Sequence, residues 1–366
     1  MEEKRERLFS LDLLRGLDMW LLAFADILIW GARESGMLNE FMNRTFHHIW
    51  GEFTIYDVIM PCFIFMCGAA IPFALTRRLK DGKPTTEFWK HLAWRFVMLY
   101  VLGSICQCNL LSLDPMKIHV FYNTLQVIAV AYVTTALVML IPSRKVQVVI
   151  PIALAAVMGL VVHLCGHGDY SLTGNYTYVF DRLVWGAILP EGQHSLQPNG
   201  YVTYLLPQLV CSAMTMCGYE CALVLRGTRT PWQKAGILFA LAAGLFVAGF
   251  IVSFWVPVIK HIFSLSFSLY ATAWSVLALA VLYVLSDIWK LRRGTGWILL
   301  FGRNALFVYV TMSVCHGAMH ALASHLMQGF PRYLGNGVQP FVISVMMMIE
   351  LAFLVWVWQG FKKSRR

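Results

Sequence analysis

About ten stretches of roughly 20 apolar residues run through this chain, and each is long enough to cross a membrane as a helix. Hydrophobic residues make up 58% of the 366 residues and charged residues only 13%, with a mean hydropathy of +0.64. A soluble domain of this length could not bury so much apolar surface, so the sequence predicts an integral membrane protein. The predicted spans are 11–31, 53–75, 88–110, 118–141, 147–166, 201–225, 233–256, 262–288, 297–316 and 338–360.

The fold class is set by the lipid that surrounds such spans. Lipid offers the backbone no hydrogen-bond partners, so the spans must be helices rather than isolated strands. We predict an all-α, polytopic integral membrane bundle of about 10–11 transmembrane helices, in which the weaker segment 318–330 is re-entrant or interfacial. No long soluble stretch interrupts the series, so residues 1–366 are expected to form a single integral membrane domain.

The distribution of Lys and Arg predicts the orientation. Short loops rich in these cations stay in the cytoplasm, whereas the opposite loops hold only scattered ones. Both termini are therefore expected to be cytoplasmic, and the formal net charge of +10 needs no nucleic-acid partner. The first span carries four charged residues, so it makes a poor cleavable signal peptide. The cation-rich set comprises the two chain ends and the loops around Arg77, Arg144, Arg226 and Lys290.

Cysteine and histidine patterns favour no metal site. Most of the nine cysteines lie inside apolar spans and none forms a C-x-x-C pair, so we interpret them as small apolar helix residues. His316 and His320 stand four residues apart, but no acidic or cysteine ligand lies near them in sequence. An interfacial helix face explains these histidines better, and we expect no bound metal.

The densest polar constellation is the segment 47–57, which leads into the second span from the side predicted to be outside. It contains two imidazoles, an indole and a carboxylate, on His47, His48, Trp50 and Asp57. A neutral imidazole is suited to accept a proton from an amine near neutral pH, and a carboxylate can hold the ring in one tautomer. This segment is therefore the first candidate for a chemical site that meets both water and lipid.

Charged side chains inside spans form a second class of candidates, because each costs about 2.5 to 3.5 kcal/mol at mid-helix on insertion scales. Asp12 and Arg15 lie one turn apart and form either a structural ion pair or part of a binding site. Asp26 lies deeper and is expected to face the bundle interior. Arg303, followed by Asn304, either clamps a phosphate or pairs with an acidic residue of the first helix.

Six groups of residues occur in the same order as the motifs of one known family. They are Arg7-Leu8-Phe9-Ser10-Leu11-Asp12-Leu13-Leu14-Arg15-Gly16; His47-x-x-Trp50 with Thr54-x-x-Asp57-x-x-x-Pro61-x-Phe63-x-Phe65-x-x-Gly68; Leu125-Gln126; Thr173-Gly174 with Asp181-Arg182-Leu183; Pro257-Val258-Ile259-Lys260 with Ser264-Leu265-Ser266; and Gly302-Arg303-Asn304 with Val308-Tyr309. Each group is weak alone. The ordered set resembles the heparan-alpha-glucosaminide N-acetyltransferase family, whose bacterial members are called NagX-like.

The resemblance implies a transmembrane enzyme that uses cytosolic acetyl-CoA to acetylate the amine of a terminal glucosaminide across the membrane. The family's active-site histidine corresponds to His47, and its carboxylate in the same block to Asp57. Its polar residue late in the first helix, an Asn in the animal enzyme, is Asp26 here, which completes the catalytic candidates. The chain departs from the pattern at Val127, where the family has Arg, and at Ile259, where it has Asn.

The residues that would act on the amino-sugar acceptor each have more than one possible role. His47 acts either as the general base of a direct transfer or as a transient acetyl carrier. We assign His48 and Trp50 to substrate binding, although an interfacial aromatic belt explains Trp50 almost as well. Lys260, also assigned to substrate binding, either stabilises the developing oxyanion or is an ordinary loop lysine.

The donor side needs cations that attract the phosphates of acetyl-CoA from the cytoplasm. Arg15, Arg303 and Asn304 are the candidates for cofactor binding, joined by Gln126 through the family's Leu-Gln motif. The pantetheine arm of acetyl-CoA would then carry the acetyl group across part of the bundle.

A secondary transporter of amino sugars or cell-wall fragments is the main alternative, because about ten helices with buried charges fit a carrier equally well. Carriers place their key site near the midplane and often show repeated halves, whereas the densest polar group here lies on an outer loop and no repeat is evident. A scaffold without chemistry leaves Asp26 and Arg303 unexplained. The expected location is the bacterial inner membrane, with His47 facing the periplasm, and the resemblance is compatible with a homodimer.

Overall fold

The computed structural model describes residues 8–45, 50–190, 205–330 and 336–364. Helices dominate these residues, and the strands among them are one antiparallel pair, β1 (Leu79–Lys80) and β2 (Lys83–Pro84). The predicted all-α class is confirmed. The α-helices are α1 (Phe9–Trp20), α2 (Asp26–Glu34), α3 (Glu40–Thr45), α4 (Ile59–Ala74), α5 (Thr86–Gln107), α6 (Thr124–Met139), α7 (Arg144–Cys165), α8 (Tyr176–Gly186), α9 (Pro207–Arg226), α10 (Pro231–Ser253), α11 (Leu265–Tyr283), α12 (Gly296–Arg303), α13 (Ala305–Leu326) and α14 (Gln339–Ser364).

Seven of the described helical segments are long and apolar enough to cross a membrane. A further apolar helix, α6, is shorter, at 16 residues. The chain is therefore a polytopic integral membrane protein, as predicted, while the cytoplasmic placement of its termini stays a prediction. The seven segments are Tyr56–Arg78, Arg144–Cys165, Pro207–Arg226, Pro231–Ser253, Leu265–Ile288, Ala305–Leu326 and Gln339–Lys362.

The predicted division between spans 297–316 and 318–330 is wrong. The helix α13 continues through Gly317 to its end, and the chain bends instead at Asn304, between α12 and α13. Asn304 leaves the helical region with φ −119° and ψ 24°, and its Nδ2 donates to the carbonyl oxygen of Leu300 at 2.9 Å. An Asn side chain that bonds its own backbone competes with the helical ladder, which explains where the bend falls.

The described residues form two compact units. The first unit contains those within 1–47, 54–59 and 281–366, and the second contains those within 48–53 and 60–280. Two of the segments that are long enough to span a membrane lie wholly in the first unit and three lie wholly in the second. The expectation of a single integral domain stays a prediction.

In the first unit, α1 packs closely against α12. A Cβ on Gly302 would lie 2.6 Å from the carbonyl oxygen of Asp12 and 2.7 Å from the backbone nitrogen of Gly16, so the two helices cross at backbone contact. The start of α1 is bound by Asp287, whose Oδ2 accepts from the backbone N–H of Ser10 at 3.0 Å. A carboxylate at this end also complements the helix dipole.

In the second unit, α9 is central. It packs against α6 and α7, and it crosses α4 so closely that a Cβ on Gly218 would overlap the carbonyl oxygen of Phe65, and one on Gly68 that of Thr215. Its apolar window is 67% buried, compared with 17% for α7 and 22% for α10. The two peripheral helices therefore present most of their apolar surface to the outside, where lipid would lie.

Candidate active site

Asp26 comes directly after a π-helical turn, Leu21–Ala25, which separates α1 from α2. Such a turn adds a residue to the helix and rotates the residues after it by about 100°. The Asp26 side chain is exposed within the first unit, and the expectation that it faces the bundle interior stays a prediction. Its Oδ1 accepts a hydrogen bond from the hydroxyl of Tyr56, so the carboxylate faces a polar partner within the first unit.

Arg33 extends this polar surface. It lies two helical turns after Asp26 on the same side of α2. Its Nε donates to Oδ1 of Asn43, on α3, at 3.1 Å, which fixes the guanidinium at that end of the helix. One side of α2 therefore carries a carboxylate bound to a phenol and, farther along, a positioned guanidinium.

Asp57 lies at the start of the second predicted span, in the helical turn Ile55–Val58. Its side chain is buried at 1% exposure, and its Oδ2 accepts from the backbone N–H of Thr54 at 2.8 Å and from the Thr54 hydroxyl at 2.9 Å. Together with the Thr54 side chain, this forms a capping box that begins the helical turn Ile55–Val58. The carboxylate therefore fixes the backbone at the helix mouth.

His47 and His48 lie outside the described residues. The contact expected between the carboxylate of Asp57 and the ring of His47 therefore stays a prediction, as do the catalytic and acceptor-binding roles of the two histidines. The described residues that flank them in sequence are Thr45, the last residue of α3, and Trp50.

Trp50 belongs to the second unit, where its indole stacks on the imidazole of His261. The ring centroids are 5.2 Å apart and the planes are inclined by 26°. Offset stacking of this kind holds both rings in a defined orientation. His261 is not among the residues predicted from sequence, although its position directly after Lys260 was a usable signal.

The loop that carries Lys260 and His261 is folded by serine hydroxyl groups. Oγ of Ser264 donates to the carbonyl oxygen of Pro257 at 2.8 Å and accepts from the backbone N–H of Ile259 at 3.0 Å, and Oγ of Ser266 donates to the Pro257 oxygen at 2.9 Å. The Pro-Val-Ile-Lys and Ser-Leu-Ser blocks are thus parts of one hydrogen-bonded turn. This turn positions Lys260 beside the residue on which Trp50 stacks.

Arg15 and Arg303 flank the crossing of α1 and α12, because they are the sequence neighbours of Gly16 and Gly302, the two glycines at backbone contact. Nη1 of Arg15 lies 3.9 Å from Oδ1 of Asp12, so the predicted ion pair is present. Arg303 is exposed at the end of α12. The two guanidinium groups predicted to bind the donor therefore belong to one helix crossing.

Asn304 and Gln126 both have protein partners. Oδ1 of Asn304 accepts from Nζ of Lys362 at 3.1 Å. Gln126 is fully buried, and its Oε1 accepts from the backbone N–H groups of Tyr122 at 2.9 Å and Asn123 at 3.0 Å, while its Nε2 donates to Oγ of Ser104 at 3.0 Å. These bonds join α5, α6 and the loop between them. Gln126 therefore positions the backbone of this loop, whether or not it also contacts acetyl-CoA.

The Thr173-Gly174 motif lies in a compact turn before α8. Oδ1 of Asp169 accepts from the backbone N–H of Ser171 at 2.8 Å, and this bond lowers the pKa of the Asp169 carboxyl group below its ordinary value. The backbone N–H of Gly174 donates to Oγ of Ser171 at 3.1 Å. Asn175 then caps α8 by accepting from the backbone N–H of Tyr178. The motif thus ends a loop and begins a helix.

Of the two histidines weighed as metal ligands, His320 has an aromatic neighbour. The ring of His320 packs edge-on against Trp30, with centroids 5.6 Å apart. Within the described ranges, no three His, Cys, Asp or Glu side chains come together as a metal-binding group.

Comparison with known proteins decides the family. The sequence model described as "Heparan-alpha-glucosaminide N-acetyltransferase, catalytic" matches residues 7–207, more than half of the chain. The chain belongs to this family. A human protein of the same description is 23% identical over 364 residues, an alignment that covers 83% of this chain and 52% of the relative. The chain therefore spans about half the length of that human protein.

The family match confirms the resemblance that the ordered motifs indicated. The matched region includes the whole segment 47–57 and the Leu125-Gln126 motif. At the two departures from the family pattern, Val127 is fully buried and Ile259 is 2% exposed. An Arg at Val127 would have to bury a charge in this position, which the apolar side chain of Val127 avoids.

Proposed function

We propose that the protein is a transmembrane N-acetyltransferase that moves the acetyl group of cytosolic acetyl-CoA to the amine of a glucosamine or glucosaminide on the outer side of the membrane. The observation that carries this proposal is the match of the family's catalytic region to residues 7–207, which contain the His47 to Asp57 segment at the mouth of an apolar helix. The chemistry requires water-soluble substrates to meet at a membrane boundary, where the sequence predicts this segment to lie.

The reaction forms an amide bond and breaks a thioester. In the direct route, the amine nitrogen of the sugar attacks the thioester carbonyl carbon, His47 takes the proton from the amine, and the CoA thiolate leaves. In the two-step route, an imidazole nitrogen of His47 attacks first, CoA leaves, and the acetyl-imidazole then passes its acetyl group to the amine. Both routes give CoA thiol and an N-acetylated sugar.

The described residues supply suitable surroundings for the acceptor. The stack of Trp50 on His261 offers an aromatic face against which a sugar ring can pack, and Lys260 in the adjoining turn offers a cation for the developing oxyanion. His48 is a second imidazole for acceptor binding. In the first unit, Asp26 with its Tyr56 partner is the remaining catalytic candidate, beside Asp57.

On the donor side, we assign the phosphates of acetyl-CoA to Arg15 and Arg303, at the crossing of α1 and α12, with Asn304 beside them. Gln126 contributes by holding the loop before α6. We place the protein in a bacterial inner membrane, with His47 facing the periplasm and both termini in the cytoplasm, on the distribution of Lys and Arg. The acceptor class is an amino sugar, and the assembly compatible with the family is a homodimer.

The test is an assay of purified protein mixed with acetyl-CoA and glucosamine or a small glucosaminide, in which free CoA thiol is followed. Wild type is expected to release thiol only when the amine is present, and His47→Ala to lose about 100-fold or more in rate, as expected for a lost general base or nucleophile. The matched control is His167→Asn, which removes an exposed imidazole from another loop. The backbone of His167 has φ 48°, a conformation that Asn tolerates.

One result would contradict the proposed activity, and another would contradict the role of His47. If wild type releases no thiol in the presence of amine but proteoliposomes accumulate labelled glucosamine, the protein is a carrier rather than a transferase. If His47→Ala and His167→Asn both react at the wild-type rate, acetyl transfer stands but His47 has no part in it.

A further inference from the structure

The second unit contains a cavity of about 720 Å³ between the end of α4 and the first turns of α5. The side chains that line it are unusually cationic: Arg77, Arg78, Lys80 and Arg95 face it together with His91, and Glu87 is the one carboxylate among its described lining residues. The family motifs do not include these residues, and in the sequence Arg77 serves only to predict topology.

The backbone around the cavity is fixed by short-range hydrogen bonds. The carbonyl oxygen of Arg78 accepts from the hydroxyl of Thr85 at 2.8 Å and from its backbone N–H at 3.3 Å, which joins the two ends of the β1–β2 hairpin. Thr85 also caps α5 by accepting from the backbone N–H of Phe88. The guanidinium of Arg78 donates to the carbonyl oxygen of Ala74, at the end of α4. The cations are therefore held on ordered elements.

Arg95 lies deepest of the four, because it projects from the third turn of α5 toward apolar neighbours. Its guanidinium carbon is 4.2 Å from the centroid of the Tyr132 ring, and its Nη2 lies 3.7 Å from Sγ of Cys67. Among the described residues, none of the four cations forms an ion pair with a carboxylate. A half-buried guanidinium that packs on a ring and a thiol keeps its full charge available to a ligand.

Topology alone explains exposed cations such as Arg77 and Lys80 at a cytoplasmic helix end. The topology does not explain Arg95. A cation needed only at the membrane border would be exposed like Arg77 and Lys80, whereas Arg95 packs inward on Tyr132. Four cations around a cavity of drug-like size are suited to an anion with several oxygens, and guanidinium groups bind phosphate oxygens in a bidentate way.

We propose that this cavity binds a phosphate group, carried either by the nucleotide part of a coenzyme such as acetyl-CoA or by the head group of an anionic phospholipid. The proposal concerns binding alone, so it stands or fails independently of acetyl transfer. It adds a phosphate site to the second unit, besides the Arg15 and Arg303 pair assigned in the first.

The probe for the nucleotide source is adenosine 3′,5′-bisphosphate, titrated into purified protein. The double variant Arg77→Gln/Lys80→Gln changes two exposed side chains and leaves the buried packing of Arg95 intact. Its control is Lys145→Gln/Arg293→Gln, which removes two exposed cations from other loops. The probe for the lipid source is retention of phosphatidylglycerol against phosphatidylcholine by the same proteins, measured by native mass spectrometry after release from mixed nanodiscs.

Binding of the bisphosphate that weakens about tenfold in the cavity variant and not in the control supports the nucleotide source. Unchanged bisphosphate binding with selective loss of phosphatidylglycerol in the cavity variant supports the head-group source. The proposal is overturned if the cavity variant and the control behave alike toward both probes. Thermal unfolding of each variant near the wild-type temperature shows that the comparison is between folded proteins.

Discussion

The hydroxyl of Tyr56 donates a hydrogen bond to Oδ1 of Asp26, a residue 30 positions earlier in the chain. The bond joins the helix after the π turn to the mouth of the second predicted span, both within the first unit. The bond gives Asp26 a defined partner. Asp26 is the catalytic candidate at which this chain differs from the animal enzyme, which has Asn there. An amide oxygen would accept the same hydrogen bond.

From the Asp26–Tyr56 bond we predict that Asp26 acts as a hydrogen-bond acceptor and that its negative charge is not required. Asp26→Asn is expected to stay within about twofold of wild type in amine-dependent CoA release, whereas Asp26→Ala and Tyr56→Phe each lose about tenfold, near the upper value for one neutral hydrogen bond. If Asp26→Asn is as inactive as Asp26→Ala, the negative charge itself is needed.

Asp57 is expected to contribute to stability through its capping box. Asp57→Ala removes two hydrogen bonds to Thr54 at a buried helix start and should lower the free energy of unfolding by about 2 kcal/mol. Thr54→Val removes only the hydroxyl bond and should cost about half as much. Thermal unfolding in detergent measures both. An Asp57→Ala protein that unfolds at the wild-type temperature would show that the capping bonds contribute little.

The crossing of α4 and α9 predicts a sharp difference between two glycines. Gly218→Ala places a methyl group against the carbonyl oxygen of Phe65 and should destabilise the fold by about 1–3 kcal/mol or more through overpacking. Gly236→Ala, in the peripheral α10 with open space around its Cβ position, should be neutral or stabilise by about 0.5–1 kcal/mol. Unfolding temperatures that change equally in the two variants would contradict the close crossing.

Variants of Gln126 distinguish a role in holding the backbone before α6 from direct contact with acetyl-CoA. Gln126→Ala removes the acceptor of two buried backbone N–H groups and the donor to the Ser104 hydroxyl oxygen, and it should destabilise the protein by about 3 kcal/mol. Gln233→Ala, at an exposed capping box of α10, should cost about 1 kcal/mol or less. A Gln126→Ala protein of wild-type stability with a raised KM for acetyl-CoA would instead favour direct contact with the donor.

The sequence predicts most of the long helices well because they are long apolar runs. The run predicted at 88–110 is α5, and its start is fixed by Thr85, whose side chain accepts from the backbone N–H of Phe88. The last predicted span, 338–360, corresponds to α14. Hydropathy is a property of the segment itself, so no tertiary contact is needed to find these elements.

Other features depend on geometry that hydropathy does not carry. The π turn before Asp26 rotates one face of a helix without changing its composition, so composition alone does not give the direction of this side chain. The bend at Asn304 depends on one side-chain bond to Leu300. The stack of Trp50 on His261 joins residues more than 200 positions apart. The family, in contrast, can be found from sequence because its motifs keep their order.

Sidedness gives the most direct test of acetyl transfer across the membrane. Proteoliposomes containing wild type, oriented by accessibility of a terminal tag, are loaded with glucosamine and supplied with acetyl-CoA on the outside alone, with the cytoplasmic face outward. We predict N-acetylglucosamine inside the vesicles, CoA thiol outside, and loss of both with His47→Ala. Acetylated sugar that forms only when acetyl-CoA and glucosamine share one compartment would contradict transfer across the membrane.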